Sequence, residues 1–152
     1  MDIEKIVREL IDRSYHMSLA TARDNKPWVC ELHFAYDEDL NFYFRSLSFR
    51  RHCKELTDNS NVAGSIVKQH TLEDPVIGVF FEGTAKLLTL GEEQNKAFEC
   101  IKKRLKTSDD VLDEAKNPDG HQFYKIMVSK FYIFGAFEGK DSQKYELDWK
   151  NG

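Results

Sequence analysis

Ile3, Ile6, Val7, Leu10 and Ile11 fall on one face of a helix, and Asp2 stands where an N-cap accepts the first unpaired N–H groups. The period then changes to that of strands. Alternation predicts a strand over 16–22, a turn at Asp24-Asn25-Lys26-Pro27 and a strand over 28–36. In the second of these, Trp28, Cys30, Leu32, Phe34 and Tyr36 share one face, and Val29, Glu31, His33 and Ala35 the other. Asp37-Glu38-Asp39 predicts a turn into a strand over 40–45, so the three strands are expected as an antiparallel meander.

A helix is predicted over 49–58, ending in the polar run Thr57-Asp58-Asn59-Ser60-Asn61, with a short strand over 62–67 behind it. Residues 70–75 are expected as a loop stopped by Pro75. A long strand over 77–88 carries Gly78 and Gly83, and interior strand glycines mark a bulge, a bend or a close approach. A helix over 91–105 has Ala97, Phe98, Ile101 and Leu105 on one face, and Ser108 is expected to cap a short helix to Lys116. After a break at Asn117-Pro118-Asp119-Gly120, strands are predicted over 123–128, 131–137 and 144–149. The fold class is mainly β with peripheral helices: a small closed or split barrel of six to seven antiparallel strands in one domain over 1–152.

One segment carries candidate chemistry. A strand delivers Arg45 and Ser46 to a helix opened by Ser48, Arg50 and Arg51, with Lys54 one turn further on. Helix N-termini present unpaired N–H groups and the positive end of the dipole, and arginine adds a planar fork that matches phosphate oxygens. The net charge of -4 argues against general nucleic-acid binding, so this local basic cluster suits a small anionic ligand.

Cys30, Cys53 and Cys100 are widely spaced and odd in number, which argues against a disulfide framework and a Cys-x-x-Cys metal site. His16, His33, His52, His70 and His121 lack metal-ligand spacing, so no metal is expected. No apolar run is long enough for a membrane helix and no signal peptide is read at the N-terminus, so a cytoplasmic location is the expectation. Gly-x-Gly-x-x-Gly and Gly-x-Ser-x-Gly runs are missing, leaving no support for dinucleotide binding of the Rossmann type or serine hydrolysis.

The order of elements resembles the pyridoxamine 5'-phosphate oxidase-like, FMN-binding split-barrel superfamily. The pieces that carry the resemblance are Met17-Ser-Leu-Ala-Thr-Ala, Phe42-Tyr-Phe-Arg-Ser, Ser48-Phe-Arg-Arg-His-Cys-Lys-Glu-Leu, Asn61-Val-Ala-Gly-Ser-Ile-Val, His70-Thr-Leu-Glu and Ile77-Gly-Val-Phe-Phe-Glu-Gly-Thr-Ala. The resemblance implies a homodimer with FMN at the subunit interface and an unknown small-molecule substrate. It implies a phosphate grip by Arg45, Ser46, Arg50, Arg51 and Lys54. Val29, Cys30, Glu31, Leu32 and His33 would run along the flavin ring, with His33 as a hydrogen-bonding or acid–base group. Gly78 would approach the ring from the partner chain, and Trp149 would supply an aromatic wall.

Two departures direct the resemblance to a short, uncharacterised branch. The second strand reads Val29-Cys-Glu-Leu-His-Phe where true vitamin B6 oxidases have an Arg-x-Val-Leu-Leu-Lys type motif. The chain ends Leu147-Asp-Trp-Lys-Asn-Gly, without the arginine-bearing segment that completes the substrate site there. The expected activity is an FMN-dependent oxidoreductase. The alternative on the same fold is a flavin, deazaflavin or haem carrier without turnover.

Overall fold

The opening helix forms where its apolar spacing predicts. In the computed structural model, which describes residues 1–67 and 70–149, α1 spans Ile3–Asp12. Val7 and Ile11 are buried, and the Asp2 carboxylate accepts from the Lys5 N–H at 3.1 Å. The final Lys150-Asn-Gly of the C-terminal reading lies outside the described residues.

Strands β1 (His16–Arg23) and β2 (Lys26–His33) form a hairpin closed by Asp24 and Asn25, both at positive φ (51° and 60°). Such two-residue turns match the twist of paired strands, and Asp and Asn tolerate the left-handed region. Strand β2 is an edge of the sheet, where Pro27 costs no ladder bond.

The expected meander does not form. The strand predicted over 28–36 breaks at Phe34, because Phe34 and Ala35 are buried in succession and end the alternation. The Phe34 N–H donates to the Tyr15 carbonyl at 3.0 Å. The chain thereby leaves one edge and enters the other, as β3 (Ala35–Tyr36) and β4 (Phe42–Leu47). Strands β5 (Asn61–Val67), β6 (Gly78–Leu87), β7 (His121–Phe137) and β8 (Lys140–Asp148) complete eight, one more than the upper expectation. The order is β2-β1-β5-β6-β7-β4-β3, all neighbours antiparallel, with β8 on β7. The sheet curls until β2 and β4 approach without a ladder between them, and this gap is the split of the barrel.

The two strands expected over 123–128 and 131–137 are one. Ser129-Lys130 is not a turn: the β6–β7 register shifts between Glu82 and Gly83, and Ser129 is the extra residue on β7. A Cβ on Gly83 would lie 2.2 Å from the Met127 carbonyl oxygen, so the bulge requires glycine.

Phe34, Phe42, Phe81 and Phe131 fill the barrel, with ring centroids 5.0–6.2 Å apart along the chain of contacts. Each fully buried aromatic side chain contributes roughly 2–3 kcal/mol. A second core lies outside the barrel, where Ala97, Phe98 and Ile101 of α3 (Gly91–Leu105) cover Tyr43 and Phe123. Helix α2 (Arg51–Asp58) packs on β1, β2 and β6, and α4 (Asp110–Glu114) on α3 and β7. Among the described residues no helix is long and apolar enough to cross a membrane.

Candidate functional site: a cleft at the split of the barrel

The gap between β2 and β4 opens into a cleft of about 800 Å³. Glu31, Leu32 and His33 of β2 form one wall, and Phe44 and Arg45 of β4 another. The end of α3 covers it with Arg104, and Lys106, at φ 55°, turns the chain so that Thr107 also reaches the cleft. His16 and His121 complete the rim.

Arg45 and Ser46 are neighbours in sequence on opposite faces of β4, as the strand period dictates. Arg45 turns to the cleft, where its Nη2 donates to Glu114 Oε1 at 3.3 Å. Burial lowers the Arg45 pKa from its ordinary value. Ser46 turns inward, and its hydroxyl meets His52 Nε2 at 2.9 Å. Burial, with Arg50 beside it, lowers the His52 pKa and favours the neutral ring. The expected grip of Arg45 and Ser46 side chains on one phosphate is therefore not assembled.

The basic helix start is assembled, with a correction. Helix α2 begins at Arg51 with Arg50 as N-cap; Ser48 lies in the preceding turn and caps nothing. The N-cap has no side-chain hydrogen bond and the first turn no acidic residue, so the N-terminal N–H groups meet no carboxylate of their own helix turn. Arg50 and Lys54 are exposed and make no ion pair among the described residues. Arg51 donates to Glu55 at 2.7 Å and lies 4.3 Å over the Trp28 ring. Glu55 is buried, also accepts from Thr21 at 2.9 Å, and is held below its ordinary pKa chiefly by the Arg51 bond.

On β2, the side chains of Val29, Glu31 and His33 face outward, and Cys30 and Leu32 face the core. Glu31 accepts from the Ser18 hydroxyl. His33 lies beside His16, ring centroids 5.2 Å apart. Burial, with smaller effects from Cys53 and Glu31, pushes the Cys30 thiol up to about 11. Gly78 is buried at the start of β6, where a Cβ would press on Phe134 and Val67 at 2.9 and 3.0 Å. Trp149 does not line the cleft of its own chain. It packs edge-on against Phe131 and donates from Nε1 to the Asp39 carbonyl at 2.8 Å.

The sequence expectations for the site did not include His16, Arg104, Lys106, Thr107, Glu114 or His121. Arg104 ties down the corner after α1, bonding the Ile11 and Ser14 carbonyls within a cage of Tyr15, Phe34 and Tyr36 rings. Its Nε has no partner, and neither do Arg45 Nε and Thr107 Oγ1. These three are the buried side-chain polar atoms without a partner among the described residues, and all three belong to walls of this cleft. Unpaired buried polar atoms are costly, and these three lie closed off within the walls. No repeat or spacing in the sequence joins these positions; the fold alone does.

The curated relative UPF0306 protein PM1958 of Pasteurella multocida is 30% identical over 97 residues, which is 62% of this chain and 65% of that protein. The chain thus spans just under two thirds of that relative. Among solved structures, a FAD-binding protein from Mesorhizobium loti superposes with a TM-score of 0.68 at 17% identity, covering 86% of this chain and 90% of that one. A heme binding protein from Mycobacterium smegmatis gives 0.73 at 15% identity, covering 93% of this chain and 55% of that one. The sequence model described as pyridoxamine 5'-phosphate oxidase matches residues 3–134, which takes in α1, the hairpin edges, the basic helix start and most of β7. With the split barrel and its cleft, this match makes the chain a member of the pyridoxamine 5'-phosphate oxidase family.

Proposed function

We propose that this chain binds FMN at the split of the barrel and serves as a flavin-dependent oxidoreductase of a small molecule. The observation that carries the reading is the cleft at the split, walled by Glu31, Leu32 and His33 of β2 and by Phe44 and Arg45 of β4, in a chain whose α2 start exposes Arg50 and Lys54. Cations and unpaired N–H groups at the start of α2 suit the phosphate. Arg51 joins that grip by sharing its guanidinium with Glu55. When bound, the flavin supplies the exchange of electrons, and the chain binds, orients and excludes water.

The reading extends to a homodimer with the cofactor near the interface. On the outer face of the sheet Ser18, Ala20, Ala63 and Ser65 lie in register across β1 and β5, flanked by exposed Phe80 and Val67. Small residues beside an exposed apolar strip support close approach of a second copy. A second reading, haem binding without turnover, draws on His16, His33 and His121 around the cleft and on the heme-binding neighbour. A deazaflavin in the same cleft is the third.

Titration of FMN into the protein, followed by flavin fluorescence, tests the first reading. Wild type is expected to bind, and the Arg50→Ala/Arg51→Ala variant to lose roughly tenfold or more in affinity at two charge-assisted contacts. Equal affinity in the double variant would remove α2 from the site. Haem uptake with no flavin uptake would favour the second reading.

A further inference from the structure

The cleft that His33 lines is also lined by a second imidazole, that of His121, to which the flavin reading assigns no role. His121 Nδ1 sits 2.6 Å from Glu114 Oε2, and the His121 backbone N–H donates to the same oxygen. The other carboxylate oxygen accepts from Arg45 at 3.3 Å. The turn between them is tied: Asn117 N–H donates to the Glu114 carbonyl at 3.0 Å, Gly120 N–H to the Asn117 carbonyl at 2.9 Å, and Gln122 Nε2 to that carbonyl at 2.7 Å. A Cβ on Gly120 would lie 2.6 Å from the Glu114 carbonyl oxygen, so the turn closes tightly on the carboxylate's own residue. A side chain fixed through such a turn is set before any ligand arrives.

The charge state of Glu114 follows from its partners. The His121 N–H, its ring and Arg45 hold its pKa below the ordinary carboxylate value. A carboxylate only accepts, so Nδ1 of a neutral His121 ring carries the proton. Nε2 is then an unprotonated nitrogen with no partner among the described residues, on a ring that lines the cleft.

We infer that His121 is a catalytic residue, the proton acceptor and donor of the cleft, and that Glu114 is its positioning residue. The inference rests on the flavin reading and deepens it. A donor with a hydrogen on carbon and an ionisable N–H or O–H loses one hydride equivalent and one proton on oxidation. The C–H bond would break with its electron pair, and the hydride would pass to the flavin, the two-electron oxidant of the step. The N–H or O–H bond breaks as the proton forms a bond to His121 Nε2, and the imidazolium faces the Glu114 carboxylate. The proton then leaves to water at the open side of the cleft. Reversed, the same nitrogen protonates a substrate being reduced.

The test uses FMN-loaded protein and needs no substrate. Loading is read first, from flavin absorbance. The midpoint potential of the bound flavin is then followed against pH, because an ionisable group at the flavin bends that line. The other ionisable groups that line the cleft are Tyr15, His16, Glu31, His33, Arg45, Arg104 and Lys106, and Glu114 bonds His121 directly. Wild type is expected to show an inflection that His121→Gln loses. Ring nitrogen NMR is expected to give the Nδ1–H tautomer for His121 in wild type, lost in Glu114→Gln while FMN stays bound. An unbent line in wild type, an inflection surviving in His121→Gln, or a tautomer indifferent to Glu114→Gln overturns the assignment while leaving the flavin reading intact. Failure of wild type to load FMN overturns both.

Discussion

Arg51 divides its guanidinium between a buried carboxylate and an aromatic face, so its replacement acts on the fold as well as on a ligand. Without it, Glu55 keeps only the Thr21 hydroxyl. Arg51→Ala is therefore expected to lower stability by about 1 kcal/mol, whereas Arg50→Ala, on an exposed side chain, leaves it unchanged. Urea denaturation of the two single variants checks the contrast. The same carboxylate sets a pH response. Its folded pKa is depressed below the ordinary 4.5, so its stabilisation is complete above that value and is lost as pH falls through the folded one. Melting temperature against pH is expected to fall below about pH 4.5, and less steeply in Glu55→Gln, provided both proteins are compared at one ionic strength. Cys30 belongs to this scale too: with its thiol raised to about 11, it is expected to resist alkylation at neutral pH in the folded protein.

Elements were legible where a local pattern decides them. The spacing of Ile3, Val7 and Ile11, the Asp24-Asn25 turn and the face of α3 act within a few residues, and the structure follows them. Two readings failed because local pattern says which face a residue takes and not which strand it pairs with. Phe34 and Ala35, both buried, carry the chain from one edge of the sheet to the other. Ser129-Lys130 resembles a turn but is a bulge in one long strand. The bulge gives a direct prediction. Gly83→Val would force a side chain against the Met127 carbonyl, and an equilibrium unfolding experiment is expected to register a loss of about 1–3 kcal/mol, unlike Gly91→Ala, which meets open space at a helix start. The site follows the same division. Arg50, Arg51 and Lys54 lie within five positions, so a basic helix start was readable there, whereas strand alternation sends Arg45 to the cleft. Arg104, Thr107, Glu114 and His121 come together only through α3, α4 and β7.

At the scale of the whole molecule, a curled sheet whose strands β2 and β4 fail to zip creates a cleft, and β2, β4 and the end of α3 supply its charge. The outer face of β1, β5 and β6 is the surface proposed for a second copy. Ala63→Glu or Phe80→Lys, both exposed in the single chain, is expected to convert a dimer to a monomer in light scattering after gel filtration, with circular dichroism unchanged. An unchanged mass would move the interface elsewhere. The central claim, that the cleft at the split holds a flavin, is tested most directly by the visible absorption spectrum of the purified protein after incubation with FMN and desalting, with mass spectrometry of the ligand released on heating. A stoichiometric flavin spectrum and released FMN are the predicted result. A protein that remains colourless, or that retains only haem, would contradict it.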